Sequence, residues 1–112
     1  MPPPSALSTK RTAPIFAALG DETRLHLVSQ LCRGEALSIT RLTGGSKLSR
    51  QAITKHLQVL AGAGLVRGVR QGRERRWELT PRKIAEAQRC LDVISAQWDA
   101  ALERLRRFVE DE

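Results

Sequence analysis

The sequence predicts a mainly α-helical domain with one small β-hairpin, and three features point there. Apolar residues recur at helical spacing over most of the chain. Residues 65–79 break that pattern into two short runs around a glycine. Beyond Pro81 there is neither Gly nor Pro, and the apolar residues form one long stripe. At 112 residues, with 41% apolar and 28% charged side chains, the chain suits one domain with a single core. The expected order is four helices, two strands and a long final helix.

Residues 1–11 (MPPPSALSTKR) are Pro/Ser-rich without periodicity and are expected to be a disordered tail. A short helix is predicted over 13–19, with apolar Ile15, Phe16, Ala18 and Leu19 and a stop at Gly20. Asp21 is a good N-cap for a second helix over 22–33. Its Leu25, Val28, Leu31 and Cys32 fall at helical spacing and are expected to face the core. Ser38 can cap a third helix over 39–43, closed by Gly44 and Gly45, and Ser49 a fourth over 50–63.

The two strands flank Gln71-Gly72-Arg73. Alternation puts Arg75, Trp77 and Leu79 on one face of the second strand and Glu74, Arg76 and Glu78 on the other. Thr80 followed by Pro81 reads as an N-cap and a proline at the first helical position. In the helix that follows, Ile84, Ala87, Leu91, Ile94, Trp98, Ala101, Leu105 and Phe108 are spaced alternately three and four apart. That is a heptad seam, which asks for a partner helix. The expected division is therefore a tail (1–11), a folded domain (12–80) and a dimerisation helix (81–112).

The formal charge of +7 is not spread evenly. Residues 47–76 alone carry +7, from Lys47, Arg50, Lys55, Arg67, Arg70, Arg73, Arg75 and Arg76 against Glu74. The rest of the chain sums to zero. A basic excess gathered in this way is the footprint of a polyanion-binding face, whereas a solubilising surface mixes signs. Neither a membrane span nor a secretory leader is evident, so a cytoplasmic protein without a membrane partner is expected. Cys32 and Cys90 are too few for a disulfide framework and wrongly spaced for a zinc finger. No nucleophile–base constellation or phosphate-binding Gly loop argues for an enzyme, and no cofactor is implied.

The fourth helix divides into two faces. Ile53, Leu57 and Leu60 form its apolar side, while Gln51, Thr54, Lys55 and Gln58 form a polar stripe. A short helix, a Gly-Gly turn and a second helix with such a stripe make a helix-turn-helix, whose second helix enters the DNA major groove. Gln pairs bidentately with adenine, and Thr bonds to several bases. Arg50 and Lys55 can reach phosphates or guanine, and the Ser49-capped N-terminus favours a phosphate. The Arg-rich hairpin that follows suits a wing along the DNA backbone, with Trp77 as its anchor in the core. Together these elements are a winged helix-turn-helix that binds double-stranded DNA.

The runs FAALGDETRLHLVSQLCRGE, LSRQAITKHLQVLAGAGLV and GRERRWELT resemble the ArsR/SmtB family of transcriptional regulators from about Ile15 to Thr80. The resemblance implies a homodimeric repressor of a near-palindromic operator, paired through Ile15, Phe16 and the stripe on the last helix. It also implies DNA contacts by Ser49, Arg50, Gln51, Thr54, Lys55, Arg70, Arg73, Arg75 and Arg76, with His56 in a DNA-side or packing role. One metal site of the family uses Leu-Cys-Val-Cys at the third helix, where this chain has Leu37-Ser38-Ile39-Thr40. Another uses His on the last helix, where residues 81–112 contain none. Hydroxyls are poor ligands for soft metals, so no metal site is expected. Some members switch on a pair of thiols on the second and last helices, where Cys32 and Cys90 fall. The family's position on the second helix coincides with Ser29, however, and packed, inert cysteines are the simpler account. Two alternatives stay open: a thiol-responsive repressor, and a winged helix that binds protein with incidental affinity for DNA. The residues name no effector.

Overall fold

A computed structural model describes residues 9–111. Five helices and a three-stranded antiparallel sheet follow one another as α1 (Thr9–Leu19), α2 (Glu22–Leu31), β1 (Leu37–Ser38), α3 (Ile39–Thr43), α4 (Arg50–Gly62), β2 (Val66–Gln71), β3 (Glu74–Leu79) and α5 (Pro81–Glu110).

Local chemistry sets most of the boundaries. The side chains of Asp21, Ser38 and Ser49 accept hydrogen bonds from the backbone N–H of Arg24, Arg41 and Ala52 respectively, capping α2, α3 and α4. α4 ends through Gly64, whose φ of +80° lets Leu65 N–H donate to Leu60 O at 3.0 Å. Gln71 faces Glu74 across a two-residue turn, and Gly72 supplies the φ of +65° which that turn requires. Thr80 occupies the N-cap position of α5, but its side chain makes no capping bond; Pro81 opens the helix instead.

Three expectations need correction. The helical chain begins at Thr9, so Thr9–Arg11 belong to α1 rather than to a tail; the rest of that expected tail lies outside the described residues. Pro14 withholds one backbone donor, yet the turn before it is held by buried Thr12 and by Arg11, which meets Glu86 of α5 at 2.8 Å. Second, the buried stripe of α2 is Leu27, Val28 and Leu31, while Leu25 is 55% exposed and Cys32, beyond the last turn, is exposed. The helix packs against α1, α4 and β3, which rotates its core face from the one that apolarity alone suggested. Third, the hairpin has an additional strand: Leu37 pairs with Trp77 and Ser38 with Arg76.

The core gathers Ile15 and Ala18 of α1, the α2 stripe, Leu42 of α3, Ile53, Leu57 and Leu60 of α4, then Leu65, Val66, Trp77 and Ala87. Only the first part of α5 leans on it, through Ala87 and half-buried Ile84. The remainder projects outward, and the chain extends 67 Å along its long axis with a radius of gyration of 18.5 Å. A compact domain of this length would have a radius of gyration of about 13 Å.

Candidate nucleic-acid interface

α4 presents the polar stripe as expected. Ile53, Leu57 and Leu60 turn into the core, leaving Arg50, Gln51, Lys55 and Gln58 exposed and Thr54 half-exposed. The Thr54 hydroxyl donates to Arg50 O at 2.8 Å, which fixes its rotamer while leaving its lone pairs open. Ser49 caps the N-terminus, where the positive end of the helix dipole points out of the protein.

His56 does not join this face. It lies half-buried on the inner side of α4, with Nδ1 at 3.4 Å from an Arg24 guanidinium nitrogen and 3.8 Å from Asp21 Oδ2. Its position is one of packing against the start of α2. Arg24 also donates to Ala18 O at 2.7 Å, so one guanidinium ties α1, α2 and α4 together. The hydrogen bond from Arg24 N–H, opposed by burial and aided by the charges of Arg24 and His56, holds the Asp21 carboxyl below the usual carboxylate range.

The wing sorts its five arginines into two groups. Arg67 pairs with Glu78 at 2.7 Å and Arg76 with Glu74 at 3.1 Å. Among the described residues, Arg70, Arg73 and Arg75 have no carboxylate partner. Arg76 is thus a neutralised residue on the face of β3 that also carries Glu74 and Glu78, and is the weakest member of the expected DNA-contacting set. Trp77 is 3% exposed and anchors the wing, as the sequence predicts.

A cleft of about 400 Å³ separates α4 from the wing. Arg50, Gln51 and Thr54 line one wall, and Arg73, Glu74, Arg75 and Trp77 the other. Ser38, Ile39 and Thr40 close it. Thr40 has no place in the sequence-based set, although its position in the first turn of α3 could have suggested it. Gly68 was also overlooked; a glycine inside a strand marks a close approach of some other group.

The expected dimer residues divide similarly. Ile15, 1% exposed, and buried Ala87 are taken up by the chain's own core. Phe16, Ile84 and Ile94 are half-buried, while Leu91, Trp98 (64% exposed), Leu105 and Phe108 face outward. Leu102 and Val109 are exposed too, so the stripe on α5 is wider than the heptad seam. Both cysteines are free thiols, Cys32 exposed and Cys90 buried on α5.

Comparison with known proteins agrees with this architecture. The family model "Bacterial regulatory protein, arsR family" matches residues 21–67. An HTH-type transcriptional regulator of Mycobacterium tuberculosis is 33% identical over 97 residues, covering 87% of each chain. A probable mercury resistance operon repressor of Streptomyces lividans is 30% identical over 97 residues, covering 87% of this chain and 77% of the other. Among solved structures, an ArsR-like transcriptional regulator from Rhodococcus superimposes with a TM-score of 0.74 at 37% identity, covering 90% of this chain and 94% of that one. With a winged helix-turn-helix, a polar recognition face and relatives matched over most of their length, the chain belongs to the arsR family of bacterial transcriptional regulators.

Proposed function

We propose that the protein is a homodimeric repressor that reads a near-palindromic operator through α4 and anchors it through the wing. The observation that supports this reading is a shared side: Arg50, Gln51 and half-exposed Thr54 of α4 and the unpaired Arg73 and Arg75 of the wing border one cleft. Gln51 and Thr54 supply base-edge bonding groups, and Arg50, Arg70, Arg73 and Arg75 supply phosphate contacts. The exposed apolar half of α5 supports a second copy as partner, because a stripe of Leu91, Trp98, Leu102, Leu105 and Val109 is costly to leave in water. A two-fold pair doubles the basic face and favours half-sites related by symmetry. Repression is the sense carried by the name of the Streptomyces relative.

Binding to DNA upstream of the protein's own gene, followed by fluorescence anisotropy over a salt series, tests the reading. Tight, sequence-selective binding that falls steeply with salt is expected. Gln51→Ala should narrow the gap between operator and random DNA, whereas Arg73→Ala should weaken both alike. An absence of selective binding would shift the function toward a protein partner.

A further inference from the structure

The register of the wing places its charges on opposite faces. Gly68 stands directly across from Trp77 and Arg70 across from Arg75, so these four residues share the face toward α4. Arg67, Val69, Gln71, Glu74, Arg76 and Glu78 share the other, where both carboxylates are paired with arginine. The outer face is therefore balanced, and the inner face carries guanidinium groups alone.

On that inner face Arg75 is not free to wander. Its Cζ lies 4.6 Å from the centroid of the Trp77 ring. A Cβ built on Gly68 would stand 2.8 Å from Arg75 Nε and 3.1 Å from its Nη2, closer than side chains pack. The slot that holds Arg75 thus exists because residue 68 has no side chain. Repulsion from Arg70, its like-charged cross-strand neighbour, also favours the folded-back position. A guanidinium stacked by its face on an indole keeps its N–H edge available to an oxyanion. That group borders the cleft shared with Arg50, Gln51 and Thr54, whose one acidic residue, Glu74, is already paired with Arg76.

We propose that Gly68 and Trp77 are positioning residues that preset the Arg75 guanidinium as the ligand of one DNA backbone phosphate, in the cleft between α4 and the wing. The inference rests on the DNA-binding reading above and adds to it how the contact is made. Arg75 is ordered before DNA arrives, so the entropy of fixing a long side chain is not charged to binding.

A mutant cycle on the full-length protein tests this by operator anisotropy across a salt series. Arg75→Ala should cost about tenfold per protomer near 0.1 M salt and flatten the slope of log K against log salt by about one per protomer. Gly68→Ala leaves the charge unchanged yet should lose a measurable part of the same affinity, because the guanidinium must shift from its seat. In an Arg75→Ala background Gly68→Ala should have no further effect, since nothing then fills the slot. Arg75→Lys should keep the slope, lose affinity and be insensitive to Gly68→Ala. If Gly68→Ala alone folds poorly, recovery of folding in the double variant supports the steric slot. Wild-type affinity and slope in Gly68→Ala, or an equal cost of that change with and without Arg75, would overturn the proposal. If the wild type bound no DNA selectively, the functional reading would fail with it; selective wild-type binding that Arg75→Ala leaves unchanged would sink the positioning role alone.

Discussion

His56 Nδ1 stands 3.8 Å from Asp21 Oδ2, so the residue that caps α2 also meets the inner side of α4. Because Arg24 N–H donates to the same carboxylate at 3.0 Å, a single carboxylate joins the cap of α2 to the seat of α4.

That arrangement has a pH signature. The backbone hydrogen bond from Arg24 is the largest cause of the lowered Asp21 value, starting from 3.8. A carboxyl lowered in the folded state contributes stability that is present above its unfolded value and is lost as pH falls through the folded one. Asp21→Asn keeps a capping side chain but cannot titrate. Its melting temperature should therefore fall less than that of the wild type between about pH 5 and about pH 3, as read by circular dichroism.

Burial separates Leu57 from Leu25. Leu57 is wholly enclosed, and Leu57→Ala should cost about 3 kcal/mol in urea unfolding. Leu25, over half exposed, should cost no more than about 0.5 kcal/mol when replaced by Ala. Equal losses at the two sites would contradict the observed orientation of α2.

Ser49 accepts a 3.1 Å hydrogen bond from Ala52 N–H at the start of α4. Ser49→Ala should destabilise the fold by about 1 kcal/mol. It should also weaken operator binding beyond what that loss of folded protein explains, since it disturbs the turn of helix that carries Arg50 and Gln51. Anisotropy at a temperature where both forms are fully folded separates the two effects.

On α5, Leu105 and Phe108 (68% exposed) lie well beyond the support of the domain core. The double change Leu105→Glu and Phe108→Glu should convert a dimer into a monomer in sedimentation velocity. Operator affinity should fall with it, while the melting of residues around α4 changes little.

The thiols should differ in rate. Cys32 at the end of α2 is exposed and Cys90 is buried, so a maleimide should modify one thiol quickly under native conditions and the second only after denaturation. Mass spectrometry of the digested product identifies the site.

Much of this molecule could be read from its residues, because much of it is decided locally. Asp21, Ser38 and Ser49 cap the helices that their positions announce, and Gly72 makes the turn that a tight hairpin needs. The two main faces of α4 are legible because Ile53, Leu57 and Leu60 recur at helical spacing apart from Gln51, Thr54, Lys55 and Gln58. What escaped depended on distant partners. β1 is two residues long and exists because Trp77 and Arg76 lie alongside it. Ile15 and Ala87 satisfy a helical pattern that serves equally for a core or a partner, and only the packing of α1 and α5 decides between them. For His56 the sequence allows a DNA-side or a packing role, and only its contacts with Arg24 and Asp21 decide for packing. The division of wing arginines into paired and unpaired depends on strand register, which composition does not contain.

The far half of α5 has one more consequence. Its 30 residues outrun the body that would steady them, and the apolar stripe there has no backing from its own chain. A second copy laid against that stripe would steady the segment, so its stability and the pairing would be linked by mass action. On the proposed reading as a homodimer, the abundance of the protein becomes an input in its own right: dilution favours single copies, and accumulation favours the pair that would hold two half-sites at once. A regulator built this way measures its own supply.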